Sequence, residues 1–307
     1  MSNTCNMKKV LSIETVNDYH ARFGHQTLHP LVGVVDFSKI QYEREEGLEA
    51  LQFGVYAIYL KQGTCSMLHY GRRNYDYQEG TLVFIAPGQV VSLKDDPEDY
   101  KPSGYGLFFH PDLLLGTQLG QKMSDYSFFS YEVNEALHIS ERERQTVIDC
   151  FQKIELELEQ SIDKHSKQVI TSIIELFLNY CVRFYDRQFI TRDASNRGAI
   201  EQFERLLNTY FASDQPQNLG LPTVAYCAEQ LNLSANYFGD LIKKETGKSA
   251  QEYIQAKTIE VAKERIYDPT KTVSEIAYEL GFKYPQHFSR FFKQKVGYSP
   301  KAYRMLN

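Results

Sequence analysis

The feature that most limits what this chain can fold into is a repeat near its C-terminal end. The segment TVAYCAEQLNLSANYFGDLIKKETGKSAQEY, residues 223–253, aligns with TVSEIAYELGFKYPQHFSRFFKQKVGYSPKAY, residues 272–303. Thr223, Val224, Ala228 and Leu231 fall on Thr272, Val273, Ala277 and Leu280; Phe238, Leu241, Lys243, Gly247, Ser249 and Tyr253 then fall on Phe288, Phe291, Lys293, Gly297, Ser299 and Tyr303, one residue further along. Self-similarity of this kind marks a duplicated supersecondary unit, and the one-residue slip belongs in a turn.

Each copy carries the parts of a helix-turn-helix. A threonine N-cap opens a short helix, and Thr272 with Glu275 three residues on forms a capping box. That helix ends at Leu231-Asn232-Leu233 or Leu280-Gly281-Phe282, where Asn or Gly tolerates the positive φ of a tight turn. A second helix follows, apolar at Phe238, Leu241 and Ile242 or at Phe288, Phe291 and Phe292, and Gly247 or Gly297 stops it. Such a second helix fits a DNA major groove while its neighbour braces it. Two helical hairpins of an all-α core are the plain alternative; the duplicated spacing and the local charge favour nucleic acid.

The charge is unevenly spread. The 307 residues carry a net charge of −5, but residues 1–199 hold 20 basic against 27 acidic side chains and residues 200–307 hold 14 against 12. From 281 onward Lys283, Arg290, Lys293, Lys295, Lys301 and Arg304 face no acidic residue. A whole-chain average would have hidden this basic tip.

The N-terminal half has a different period. Between about 50 and 110, Phe53, Val55, Ala57 and Tyr59 alternate with Tyr56, Ile58 and Leu60. Turn signals stand at Gly71-Arg72-Arg73-Asn74, Glu79-Gly80 and Ala86-Pro87-Gly88. Strands at this spacing predict an antiparallel sandwich or barrel. Ser140-x-x-Glu143 then opens a helix with Val147, Ile148, Phe151, Ile154, Leu158 and Ile162 on one stripe, and a second helix carries Ile170, Ile173, Ile174, Phe177, Cys181 and Phe184. This helical pair, 140–188, is the expected surface of a homodimer. The polar stretch TRDASNRG, 191–198, is the expected linker between a sensing and dimerisation domain, 1–190, and a DNA-binding domain, 199–307.

The segment GFKYPQHFSRFFKQKVGYSPKAYR closely resembles the C-terminal signature of the AraC/XylS family of bacterial transcription regulators, and the resemblance covers roughly residues 200–307. GVYAIYLKQGTCSMLHY and YQEGTLVFIAPGQ are more loosely similar to the sensing domain of many members. The resemblance implies an α+β chain: an antiparallel, cupin-like β-barrel, a helical pair, then an all-α domain with two helix-turn-helix units. It implies a regulator of transcription that binds double-stranded promoter DNA and answers to a small-molecule effector, with RNA polymerase a further candidate partner. It places Ser234, Asn236, Gly239, Asp240 and Lys243 of the first unit in the groove, with Lys244 beside them, and Lys283, Pro285, Gln286, Ser289 and Arg290 of the second. Chemistry agrees in part, since Gln286 suits adenine and Arg290 suits guanine, whereas Gly239 has no side chain to offer and Pro285 stands where a small polar residue is expected. Lys293, Lys295 and Arg304 suit phosphate. Asp240 either accepts from cytosine N4 while repelling phosphate, or pairs with Lys243 or Lys244 one helical turn on.

Between these landmarks, Ser249-x-x-Glu252 caps a helix running to about Tyr267, where Asp268-Pro269 stops it; at about 1.5 Å per residue that is roughly 27 Å. Such a helix holds two recognition helices about one DNA turn apart.

Other chemistries find less support. His20, His25 and His29 lie close in sequence, yet a cupin-type metal set of H-x-H with a following Glu is missing, since Leu68-His69-Tyr70 supplies one histidine and His110 stands far along. A cupin-type metal enzyme fused to a DNA-binding module is therefore the alternative function, and neither a cofactor nor catalysis is expected. A repair methyltransferase would need a nucleophilic cysteine in a zinc-type cluster, and Cys5, Cys65, Cys150, Cys181 and Cys227 are scattered. Five unclustered cysteines suit a reducing cytoplasm, and no run of about 18 apolar residues offers a membrane span. Tyr56, Tyr59, Tyr70, Tyr75 and Tyr77 fit barrel core as well as ligand contact.

Overall fold

In the computed structural model the described residues are 9–22, 24–40, 48–61, 80–92, 103–131, 135–191 and 193–305. The chain divides into two compact units, Met1–Ile190 and Thr191–Asn307.

The first unit begins with β1 (Lys9–Ile13), α1 (Val16–Arg22), β2 (Val32–Asp36), β3 (Leu48–Phe53), β4 (Tyr56–Lys61), β5 (Thr81–Ile85), β6 (Val90–Ser92) and β7 (Gly104–Phe109). It continues through α2 (Gln118–Lys122), β8 (Leu137–His138), α3 (Glu141–Leu158) and α4 (Ser166–Thr191). One sheet has the order β2-β7-β4-β5-β8 and is antiparallel throughout; the other is β1-β3-β6. This refines the antiparallel barrel expected from sequence in two ways. Among the described residues the two sheets are not joined into a closed barrel, and β1 runs parallel to β3. The chain leaves β1 through α1, adds β2 to the other sheet and returns as β3 in the original direction, which is the crossover a parallel pair requires.

Ile13, Leu51, Phe53 and Val91 of the small sheet pack with Ala57, Val83, Ile85 and Phe108 of the large one in a single core. Strands β4, β5 and β7 are buried on their outer face as well. Phe84 lies 4.5 Å from Phe128 and 6.5 Å from Phe177 of α4, ring to ring, so all five residues of β5 are buried. A strand covered on both sides reads as a continuous apolar run, as TLVFI does. Tyr59 joins the inner core, its hydroxyl 3.2 Å from that of Tyr19, and Tyr56 stacks on Phe109 at 4.9 Å. Tyr70, Tyr75, Tyr77, His69, Cys5, Cys65 and the turn at 71–74 lie outside the described residues.

The capping box at Ser140 and Glu143 forms as the sequence predicts. Arg187 of α4 donates to Glu143 Oε1 at 2.7 Å and to the His138 carbonyl at 2.7 Å, tying the two helices to the last strand. Ile162, expected on the α3 stripe, is 60% exposed beyond the helix end. The Asp163 carboxylate accepts from the backbone N–H of His165 and of Ser166, and this local turn competes with helix continuation. Cys150 and Cys181 are buried, and burial pushes both thiols up.

The second unit comprises α5 (Asp193–Ala212), α6 (Gln215–Leu219), α7 (Val224–Gln230), α8 (Ala235–Thr246), α9 (Ala250–Ile266), α10 (Val273–Glu279), α11 (Pro285–Val296) and α12 (Pro300–Met305). Within the stretch expected to link the domains, 191–198, α4 extends to Thr191 and α5 starts at Asp193. Polar composition alone does not break a helix. The stretch has no proline, and its one glycine costs about 1 kcal/mol, which a 20-residue helix tolerates.

Of the three N-terminal histidines, His20 is 3% exposed. Its Nδ1 is 3.2 Å from the Thr27 hydroxyl, while Nε2 has no hydrogen-bond partner. The Cε1–Nε2 edge of the ring lies against Gly33 of β2, where a β-carbon would overlap it. No group of three or more His, Cys, Asp or Glu among the described residues could hold a metal; His110 instead accepts from the Asp112 N–H at 3.1 Å. Burial, and secondarily the charge of His25, lower the His20 pKa from 6.5 to about 4. Between these values the unfolded chain binds a proton that the folded chain refuses, so the stabilising contribution is complete above pH 6.5 and lost as pH falls toward 4. Urea unfolding of the first unit should therefore lose about 3 kcal/mol from this group over that window. His20→Asn, which keeps a polar atom near Thr27, should flatten the dependence, and an unchanged slope would clear His20 of that role.

Candidate nucleic-acid interface

The duplication seen in the letters is a duplication of elements. Helices α7 and α10 each have seven residues, α8 and α11 each have twelve. The extra residue lies in the second turn, which runs from 280 to 284 against 231 to 234 in the first. Asn232 at φ 57° and Gly281 at φ 90° make the tight corners. Thr223 accepts from the Tyr226 N–H at 3.1 Å, and the Thr272–Glu275 capping box is complete. Gly247 and Gly297 end α8 and α11 in the left-handed conformation, each donating to a lysine carbonyl one turn back at 2.9 Å. These last carbonyls sit where a residue without a β-carbon enters the left-handed region at least cost.

The buried stripes decide which side faces outward. In α8, Tyr237, Phe238, Leu241 and Ile242 are buried; in α11, Phe288 and Phe292 are buried and Phe291 packs beside them. At 100° per residue, Asn236, Gly239, Asp240 and Lys243 then share the outer face of α8, and Gln286, Ser289, Arg290 and Lys293 occupy the same four positions on α11. Lys244 borders the first set. Asn236, Lys243, Gln286, Arg290 and Lys293 are exposed, while Gly239, Asp240 and Ser289 are half-buried. A β-carbon on Gly239 would meet nothing within 4 Å, so this position leaves room for a base edge. Asp240 and Lys244 are each engaged with a neighbour.

Other predicted residues are placed differently. The Ser234 side chain caps α8, accepting from the Tyr237 N–H at 3.2 Å. Pro285 is the first residue of α11, where its missing N–H costs nothing, which accounts for the departure from a small polar residue. Lys295 lies half a turn round α11 from Gln286; the Glu252 carboxyl, held below its usual range first by its hydrogen bonds with Ser249, is lowered further by the Lys295 charge. The Arg304 Nε donates at 2.6 Å to the carbonyl of Ile266, the last residue of α9, and its Nη2 is buried. A guanidinium held at a helix C-terminus satisfies an orphan carbonyl and the negative end of the helix dipole. Helix α9 has 17 residues, roughly 25 Å, with the Ser249–Glu252 capping box in place.

Two residues at the start of α11 were not foreseen. Tyr284 is the N-cap without a side-chain cap bond, and it is 45% exposed. Its ring meets that of His287 edge-on at 5.3 Å, with the Lys283 ammonium 5.8 Å from its centroid. The proline at 285 was the available signal, because it marks N1 and so names 284 as the cap.

Arg304 and Lys293 should separate under mutation. Arg304→Ala should lower stability by about 1.5–3 kcal/mol, the range for a hydrogen bond to a charged group, and leave the salt dependence of DNA binding unchanged. Lys293→Ala should leave stability alone and reduce the slope of log K against log salt by about 1. Denaturant melts and salt titrations of the two variants check this.

Two family models match the chain: an AraC-like ligand binding domain over residues 57–176 and a helix-turn-helix domain over 227–305. YobQ, an uncharacterized HTH-type transcriptional regulator of Bacillus subtilis, is 33% identical over 82 residues, 27% of this chain and 34% of YobQ. RhaS of Citrobacter koseri, an HTH-type transcriptional activator, is 21% identical over 236 residues, 74% of this chain and 82% of RhaS. Among solved structures, the C-terminal domain of the response regulator yesN from Fusobacterium nucleatum is 28% identical with a TM-score of 0.31, covering 35% of this chain and 98% of that one. With both family models in chain order and the helix-turn-helix duplicated, the chain belongs to the AraC family: a transcriptional regulator with an N-terminal ligand-binding domain and a C-terminal DNA-binding domain.

Proposed function

We propose that this regulator reads two successive major grooves of promoter DNA through Thr191–Asn307, with α8 and α11 as the recognition helices. The observation that carries the proposal is the shared four-position outer face. On α11, Gln286 and Arg290 read base edges, and Lys283 and Lys293 hold phosphate. On α8, Asn236 and Asp240 read bases beside the gap at Gly239, with Lys243 and Lys244 toward the backbone. Phosphate attraction falls mainly on the second unit, since α11 with Lys283 carries four basic side chains and no acid, whereas on α8 Asp240 and Glu245 offset Lys243 and Lys244.

The proposed first domain, 1–190, senses a small-molecule effector that alters DNA affinity by favouring one of two states. RNA polymerase is a proposed further partner, and the cytoplasm the proposed location; no helix among the described residues is long and apolar enough to cross a membrane. The domain matches support a regulator rather than the metal-enzyme alternative. A homodimer through 140–188 is supported by Val169, Ile173, Leu176 and Tyr180, which line one side of α4; Val169 is 40% exposed and Leu176 44%. These fall one helical turn apart, the spacing of a helix-to-helix seam.

The isolated second unit has its own two cores and should bind promoter DNA with log K falling steeply with log salt. Arg290→Ala should cost about 1–3 kcal/mol on the preferred site and relax one base pair; a folded fragment that binds its own promoter no better than random DNA overturns the reading. For the dimer, Leu176→Glu should turn a sedimenting dimer into a monomer at micromolar concentration. Wild-type protein that sediments as a monomer with and without DNA rejects the dimer alone.

A further inference from the structure

We propose that Tyr210 is a positioning residue that sets the separation of the two recognition helices, and thereby the spacing between the two DNA boxes the chain accepts. This rests on the two-groove reading above. Helix α9 joins the two helix-turn-helix units, its Ile254 packed in the core of the first and its Ile259, Ala262 and Ile266 in that of the second, but a single shared helix braces each unit along one line only. A second connection runs through the end of α5 and the short α6. Tyr210, 2% exposed, sits at its centre. Its ring packs edge-on against Tyr226 of α7, the opening helix of the first unit, at 5.2 Å and 64°. Its hydroxyl donates at 2.8 Å to the carbonyl of Gly220, the residue that ends α6.

The Gly220 backbone in turn bears on the second unit. Gly281, the turn residue between α10 and α11, is so close that a β-carbon on it would lie 2.6 Å from Gly220 C, 2.7 Å from Gly220 O and 2.8 Å from Pro216 O. Backbone against backbone has no side-chain rotamer to absorb a shift. Tyr210 thus touches the first unit with its ring and aligns, through one carbonyl, the surface on which the turn of the second unit rests. Its chain neighbour Phe211 is held from the other side: Arg265 of α9 donates to the Phe211 carbonyl and, at 3.1 Å, to the carbonyl of Glu279 at the end of α10.

The consequence for DNA is geometric. Inserting or deleting one base pair between two boxes moves the second box by about 3.4 Å along the axis and about a tenth of a turn around it. A domain braced at two points refuses that shift, and a domain braced by α9 alone follows it. Spacing selectivity then resides in residues that contact no DNA.

The test uses the full-length chain. Preferred sites are selected from random duplexes, and affinities are measured for the best site and for versions with one base pair added or removed between the boxes. Wild type should bind the shifted sites at least about tenfold more weakly, and Tyr210→Phe should cut that penalty to about threefold or less. Tyr253→Phe is the control: its ring also packs in this unit, against Phe203, and its hydroxyl also has a partner, Glu204, but it lies off the α6 connection. Both variants should lower the thermal midpoint, and only Tyr210→Phe should change the spacing penalty. Gly281→Ala should abolish selectivity for the second box while leaving contact with the first. An unchanged penalty in Tyr210→Phe, or an equal change in both tyrosine variants, overturns the inference alone. Wild type that selects a single box overturns the two-groove reading and this inference with it.

Discussion

Seating one phenylalanine at the same position of each recognition helix determines nearly everything on the DNA-binding side of this protein. Phe238 lies edge-on to Phe203 at 4.9 Å, and Phe288 is enclosed by Phe282 and Phe292 at 5.3 and 5.8 Å. Both are fully buried. Burying such a ring is worth about 2–3 kcal/mol, and replacing it with alanine typically costs about 3–5. An α-helix turns 100° per residue, so fixing this ring fixes the direction of every other side chain on the helix. The outward face of four residues is what remains once the aromatic side is placed.

Against that common frame the two units differ in ways that divide labour. The first caps its recognition helix with Ser234 and balances its charge. The second begins α11 on Tyr284 and Pro285, without the side-chain cap that is worth about 1 kcal/mol, and concentrates positive charge there. Giving up the cap leaves an aromatic ring, a histidine and a lysine at the leading end of the helix. Within the basic tip, Arg304 is engaged at the end of α9, and Lys295 lies half a turn round α11 from Gln286.

Much of the helical architecture was legible because its signals are local. The capping boxes at Ser140, Ser249 and Thr272, the positive-φ residues Asn232 and Gly281 and the stops at Gly247 and Gly297 each act within a few residues. The sandwich was legible in type but not in pairing. The parallel β1–β3 ladder joins segments about 40 residues apart, and no local pattern records which strand returns beside which. The helical state of 193–198 was not legible, because polar composition resembles a loop and helix formation there depends on the absence of proline. His20 was visible as a histidine, but its burial is a property of β2, where Gly33 makes room for the ring.

The amino-acid sequence by itself determined the class of protein, the duplication, the periodic apolar stripes and therefore which residues of α8 and α11 face away from the core. These follow from spacing along the chain, which tertiary contacts do not alter. Only the tertiary structure decided what the remaining charged and aromatic groups do. Arg304 and Ile266 are 38 residues apart in sequence, and Tyr210, Gly220 and Gly281 meet only because α5, α6 and the second turn converge. A side chain's role depends on what it touches, and at such separations the contact is set by the packing of whole helices.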